Sequence, residues 1–98
     1  MDGGHIKVVA TVTAKLGHEE ALKAILLSLL PITRAEEGCL FYELHQASDP
    51  QVFTFIEGWA SDETLDEHLA SEHLEEAMEA IVPLVVGAPD IRRFRRIA

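Results

Sequence analysis

The chain contains a single cysteine, Cys39, so no disulfide can form within it. That residue sits in the apolar run CLF, and no neighbour in sequence obviously favours its thiolate, so a buried, inert thiol is expected. Basic residues are scarce: 8 Lys and Arg against 17 Asp and Glu give a net charge of -9 at pH 7. This balance argues against affinity for nucleic acid or an anionic membrane. No apolar run approaches the roughly 18 residues of a membrane span. The opening MDGGHIK lacks the charged and apolar regions of a secretion signal, which makes a cytoplasmic protein the expectation. A Gly-rich dinucleotide loop, CxxC and HExxH are all missing, so nothing signals a nucleotide cofactor or a motif-type metal site.

What remains is an ordinary globular composition, 48% hydrophobic and 26% charged over 98 residues, enough for one domain spanning residues 1–98. A chain of this size hides only about 60 to 65% of its unfolded surface. Apolar faces left uncovered would favour association. Four of the eight basic residues crowd into the terminal IRRFRRI as Arg92, Arg93, Arg95 and Arg96. Alternating Arg on a last strand keeps an exposed edge soluble or pairs with acidic neighbours.

HIKVVATVTA, His5 to Ala14, is β-branched and reads as a strand. After Gly17, acid at Glu19 and Glu20 precedes the 3, 4, 7 spacing of Leu22, Ile25, Leu26 and Leu29, an amphipathic helix. Pro31 predicts a kink or restart, with the helical region ending at Gly38. EGCLFYELH then forms a second strand, Ser48, Asp49 and Pro50 a turn, and QVFTFIEGW a third strand. Ser61 or Asp62 caps the next helix, and Ser71 offers a second cap, so two helical pieces should break near Ala70 and Ser71. Asp90 to Ile97 is the last strand.

The order βαββαβ predicts an α+β, ferredoxin-like fold with a four-stranded antiparallel sheet. Two helices can cover only one face of that sheet. Yet Leu40, Tyr42 and Leu44 oppose Cys39 and Phe41 on the second strand, and Phe53, Phe55 and Trp59 oppose Val52 and Ile56 on the third. The uncovered face is therefore expected to meet a second copy, the two sheets enclosing an aromatic and aliphatic cavity.

The phrases EEGCLFYELH, FTFIEGWAS and LDEHLASEHL, in this order and with these gaps, resemble the antibiotic biosynthesis monooxygenase family of the dimeric α+β barrel superfamily. The resemblance covers about Ile6 to Ile97. It implies a cofactor-independent oxygenase, a homodimer that oxidises a quinol or polycyclic phenol with molecular oxygen. Such chemistry asks the protein to exclude water, orient the ring and manage one proton, with no metal or flavin required in principle. Haem-degrading members of the superfamily use an Asn, a Trp and a His. Here the Trp position corresponds to His68, the His position falls at or beside Met78, and the chain has no Asn, so haem degradation is not expected.

His68 and His73 stand five apart in EHLASEHL, on neighbouring helix faces that a break at Ser71 could bring together, and either could take a phenolic proton near pH 7. Trp59 suits an aromatic ligand through stacking and its indole N–H, and equally suits a core anchor. These three are the catalytic candidates. Substrate contacts are sought in Tyr42, Phe55, Glu57 and His45. Glu57 shares its face with Phe53, Phe55 and Trp59, where burial would raise its pKa and make it a base, unless an Arg pairs with it. A metal site of His45, His68 and His73 with a carboxylate has no support from spacing. Beside the oxygenase stand two other readings: a non-catalytic dimer binding a small aromatic or quinone, and isomerase or lactone chemistry that proceeds without oxygen.

Overall fold

The computed structural model describes residues 5–98; residues 1–4, part of the stretch searched for a leader, lie outside it. Strand β1 spans Ile6–Thr13, helix α1 Glu19–Arg34, β2 Cys39–Gln46, β3 Val52–Trp59, α2 Asp62–Leu69, α3 Glu72–Ile81 and β4 Asp90–Phe94, with a 3-10 turn at Val82–Leu84. The strands form one sheet in the order β2-β3-β1-β4, and every neighbouring pair is antiparallel. This is the ferredoxin-like α+β arrangement that the element order predicts. No helix among the described residues is long and apolar enough to cross a membrane.

The core lies between one face of the sheet and the helices. Ile6, Val8 and Val12 of β1 and Phe53, Phe55 and Trp59 of β3 meet Leu22, Leu26 and Leu29 of α1, Leu65 of α2, and Leu74 and Ile81 of α3, all buried. Alternation on the strands and 3.6-residue spacing on the helices select these positions.

Four local departures from the sequence expectations have physical causes. Helix α1 runs through Pro31 as one element and ends at Arg34, short of Gly38. Pro31 and Leu27 are both exposed, so the hydrogen bond that proline removes lies on the solvent side of the helix. Gly38, at φ +84°, instead serves a close approach: a Cβ there would stand 2.4 Å from the Thr64 side chain. The register of β2 slips between Cys39 and Phe41, which puts Cys39 opposite Trp59 on the helix side and leaves Leu40 exposed, the reverse of strict alternation. Ser61 caps α2 through a capping box with Thr64, whereas the Ser71 hydroxyl donates back to the carbonyl of His68 at 2.7 Å and makes no cap hydrogen bond to α3. Finally, β4 stops at Phe94 rather than Ile97.

The two arginines within β4, Arg92 and Arg93, point to opposite faces. Arg93 points to the helix side and pairs with Asp62 and Asp66 of α2, Arg95 lies 3.8 Å from Asp62, and Arg92 pairs with Asp90. On the helix-free side stand Val9, Thr11, Phe41, Thr54, Ile56 and Phe94.

Candidate functional site

Helix α2 delivers His68 from its last turn into the interior, where the side chain is 2% exposed. The turn at Ala70 and Ser71 then redirects the chain, and α3 carries His73 back toward it, with ring centroids 6.2 Å apart. The loop after α1 supplies a third group, Glu36. Its Oε1 lies 2.7 Å from His68 Nδ1 and 3.1 Å from His73 Nε2. His68 Nδ1 makes a hydrogen bond to this oxygen, while His73 Nε2, though buried and close, is not aligned for one. Three side chains from three segments thus converge on one oxygen atom.

Aromatic rings hold this cluster against the sheet. The indole of Trp59 stacks on His68 at 4.6 Å between centroids, and Tyr42 meets the same imidazole edge-on at 5.7 Å. Tyr42 in turn stacks on Phe55 at 4.8 Å. Trp59 Nε1 donates to Glu57 Oε1 at 2.9 Å, so the indole holds a carboxyl that is 4% exposed. Among the described residues, no arginine pairs with Glu57, whose hydrogen-bond partner is Trp59.

Burial governs the protonation of these groups. It pushes the Glu57 carboxyl up to about 7, the Trp59 hydrogen bond opposing and the nearby Glu36 charge adding to the rise. Burial lowers His68 below the ordinary imidazole range, with Glu36 pulling the other way. The Tyr42 phenol is raised, first by burial and then by the Glu57 charge, and the Cys39 thiol is raised mainly by burial. Tyr42 and Cys39 therefore stay neutral near pH 7.

A cavity of about 290 Å³ opens beside this group. The short side chains Val8 and Ala10 of β1 lie along it, with Leu26 and Leu29 of α1 across from them. Tyr42, Phe55, Glu57 and His68 contribute its aromatic and polar lining, and Met78 and Ile91 lie elsewhere along it. This cavity sits under the helices of one chain, on the opposite side of the sheet from the face expected to meet a second copy. Periodicity identifies buried faces, but a void depends on side-chain volumes, here the small Val8 and Ala10.

Of the seven nominated residues, six stand together on the helix side. Tyr42, Phe55, Glu57 and His68 line the cavity, Trp59 backs His68, and His73 reaches the cluster through Glu36. His45 does not join them. It is exposed on the helix-free face and bonds Glu43 at 3.0 Å, so it takes no part in this cavity, and the carboxylate–histidine cluster forms without it. Glu36 was absent from the sequence nominations: it is 32 residues from His68, a separation no helical or strand period connects.

Comparison with known proteins places the chain and its fold. PA3566 of Pseudomonas aeruginosa superimposes with a TM-score of 0.91 at 35% identity, over 100% of this chain and 99% of that one. Rv0793 of Mycobacterium tuberculosis, a monooxygenase by name, is 34% identical over 68 residues, covering 69% of this chain and 67% of its own. Its structure superimposes with a TM-score of 0.90 over 96% of each chain, at 26% identity. The model of the antibiotic biosynthesis monooxygenase family matches residues 5–80, a span that includes Glu36, Glu57, Trp59 and both histidines. The chain belongs to the antibiotic biosynthesis monooxygenase family.

Proposed function

We propose that the protein is a cofactor-independent monooxygenase that oxidises a quinol or polycyclic phenol with molecular oxygen, working as a homodimer. The observation that carries this reading is a carboxyl of near-neutral pKa, Glu57, walled into an apolar cavity beside two stacked aromatic rings. A base of that pKa accepts a phenolic proton most usefully at neutral pH.

In the proposed reaction the arenol hydroxyl gives its proton to Glu57, and the arenolate passes an electron to oxygen. Recombination forms a C–O bond at a ring carbon ortho or para to the hydroxyl that still bears hydrogen. The peroxide takes the proton back from Glu57. Glu57 then removes the ring hydrogen, the O–O bond breaks, and the departing hydroxide leaves as water with that hydrogen. Arenol and oxygen become quinone and water, balanced without an external reductant. The apolar walls favour the step by excluding water from the arenolate, and the Tyr42–Phe55 stack offers a flat surface for the ring.

Oxygen uptake by chelator-treated protein, with a panel of reduced quinones and dihydroxynaphthalenes, tests the reading. Turnover above autoxidation, lowered at least about 100-fold in Glu57→Gln, is the expected result. Binding without oxygen consumption would favour a non-catalytic carrier, and product formed anaerobically would point to isomerase chemistry; either sinks the oxygenase.

A further inference from the structure

We propose that Glu36, His68 and His73 form a binding site for a divalent first-row transition metal ion, with Zn²⁺ well matched to the donors. The site goes beyond the oxygenase reading, which requires no metal. Two imidazole nitrogens and a carboxylate oxygen are a standard ligand set for such ions. The His68 Nδ1, His73 Nε2 and Glu36 oxygen atoms all lie within 4.8 Å of one another, and the two shorter separations are 2.7 and 3.1 Å. Bonds of about 2.0 to 2.2 Å to a common ion place ligand atoms roughly 3 to 3.5 Å apart, so small side-chain shifts suffice.

Hydrogen bonding accounts for only part of this arrangement. His68 Nδ1 is satisfied by Glu36, but His73 Nε2 is buried against the same oxygen without an aligned bond. A buried polar atom left in that state is costly. An ion would use the lone pairs of all three groups at once. The rings are also held in advance: Trp59 stacks on His68, and the chain reversal at Ala70–Ser71 fixes where His73 enters. Such fixing of ligand orientation by surrounding groups raises metal affinity. The ion would fasten the loop between α1 and β2 to both sides of the α2–α3 turn, and its charge would be welcome in a chain of net charge -9.

Chelator-treated full-length protein titrated with Zn²⁺ alone, in competition with a chromogenic chelator, tests the site. The expected result is one ion per chain, binding at micromolar concentration or tighter, and a melting temperature raised by several degrees. His73→Ala and Glu36→Gln should each weaken binding at least about tenfold, a loss that even partners outside the ligand shell can cause. Glu36→Gln retains the shape of the side chain, which guards against a folding defect in the first variant. His45→Ala, which dissolves the exposed His45–Glu43 pair, should bind as the parent does. Absence of stoichiometric binding, binding that survives both cluster substitutions, or equal displacement by Mg²⁺ would overturn the proposal. The readout does not depend on turnover, so failure of this site and failure of the oxygenase reading are distinguished.

Discussion

Replacing Glu57 with Gln should stabilise the protein at alkaline pH and leave it nearly unchanged in acid. The Glu57 carboxyl rises from 4.5 to about 7 in the folded state, chiefly through burial. A raised folded pKa means that the native state holds the proton more firmly than the unfolded chain. Its contribution is fully present below about pH 4.5 and is lost as pH rises through about 7. At 1.36 kcal/mol per unit, the ionised carboxylate costs about 3 kcal/mol at pH 8. Gln has almost the same shape and an oxygen that still accepts from Trp59 Nε1, but carries no charge to desolvate. Glu57→Gln should therefore gain up to about 3 kcal/mol over the parent at pH 8 and about nothing at pH 4. For a domain of this size that corresponds to a melting-temperature gain on the order of 10 °C or more. Urea unfolding of both proteins from pH 4 to 9, at fixed protein concentration with chelator present, measures the difference. Titrations common to both proteins cancel in it. A Gln variant less stable than the parent at pH 8, or a difference independent of pH, would refute the assignment of Glu57 as a desolvated carboxyl.

Two further substitutions probe the frame around the site. Gly38→Ala combines an unfavourable φ of +84° with a Cβ only 2.4 Å from Thr64, so denaturant unfolding should show a loss of about 2 kcal/mol or more; a neutral result would mean that the contact between this loop and α2 relaxes freely. Ile56→Lys places a charge on the helix-free face, opposite Val9 and Glu43, and should turn the proposed dimer into a monomer by light scattering at micromolar concentration; an unchanged dimer would exclude this face as the interface.

Much of the frame was legible because strands and helices have short periods. Phe53, Phe55 and Trp59 share a face by alternation, and Leu22, Leu26 and Leu29 by helical spacing, and both sets are buried. The slip at Leu40 was not legible, since a bulge adds one residue without any marker in CLF. Nor was the path of α1 through Pro31, which depends on that turn facing solvent. For the cluster, the sequence offered two histidines five apart and a Ser at the break, enough to suggest their meeting. It could not offer Glu36, whose place beside them is set by how the loop before β2 packs on α2, with Gly38 against Thr64.

Position 57 is where pattern and chemistry part most clearly. Between Phe55 and Trp59 on a face that packs against helices, alternation calls for an apolar side chain, and the residue there is a carboxylic acid that is 4% exposed. A leucine would extend the core and remove a charge whose burial costs about 3 kcal/mol when ionised. Domains of this kind are stable by only about 5 to 15 kcal/mol in total, so that cost is a large fraction of the margin. The indole of Trp59 lessens it without neutralising the charge. A local rule broken at this expense, beside a cavity and with no cation among the described residues to balance it, is what a proton acceptor in an apolar site requires and what a purely structural core would avoid.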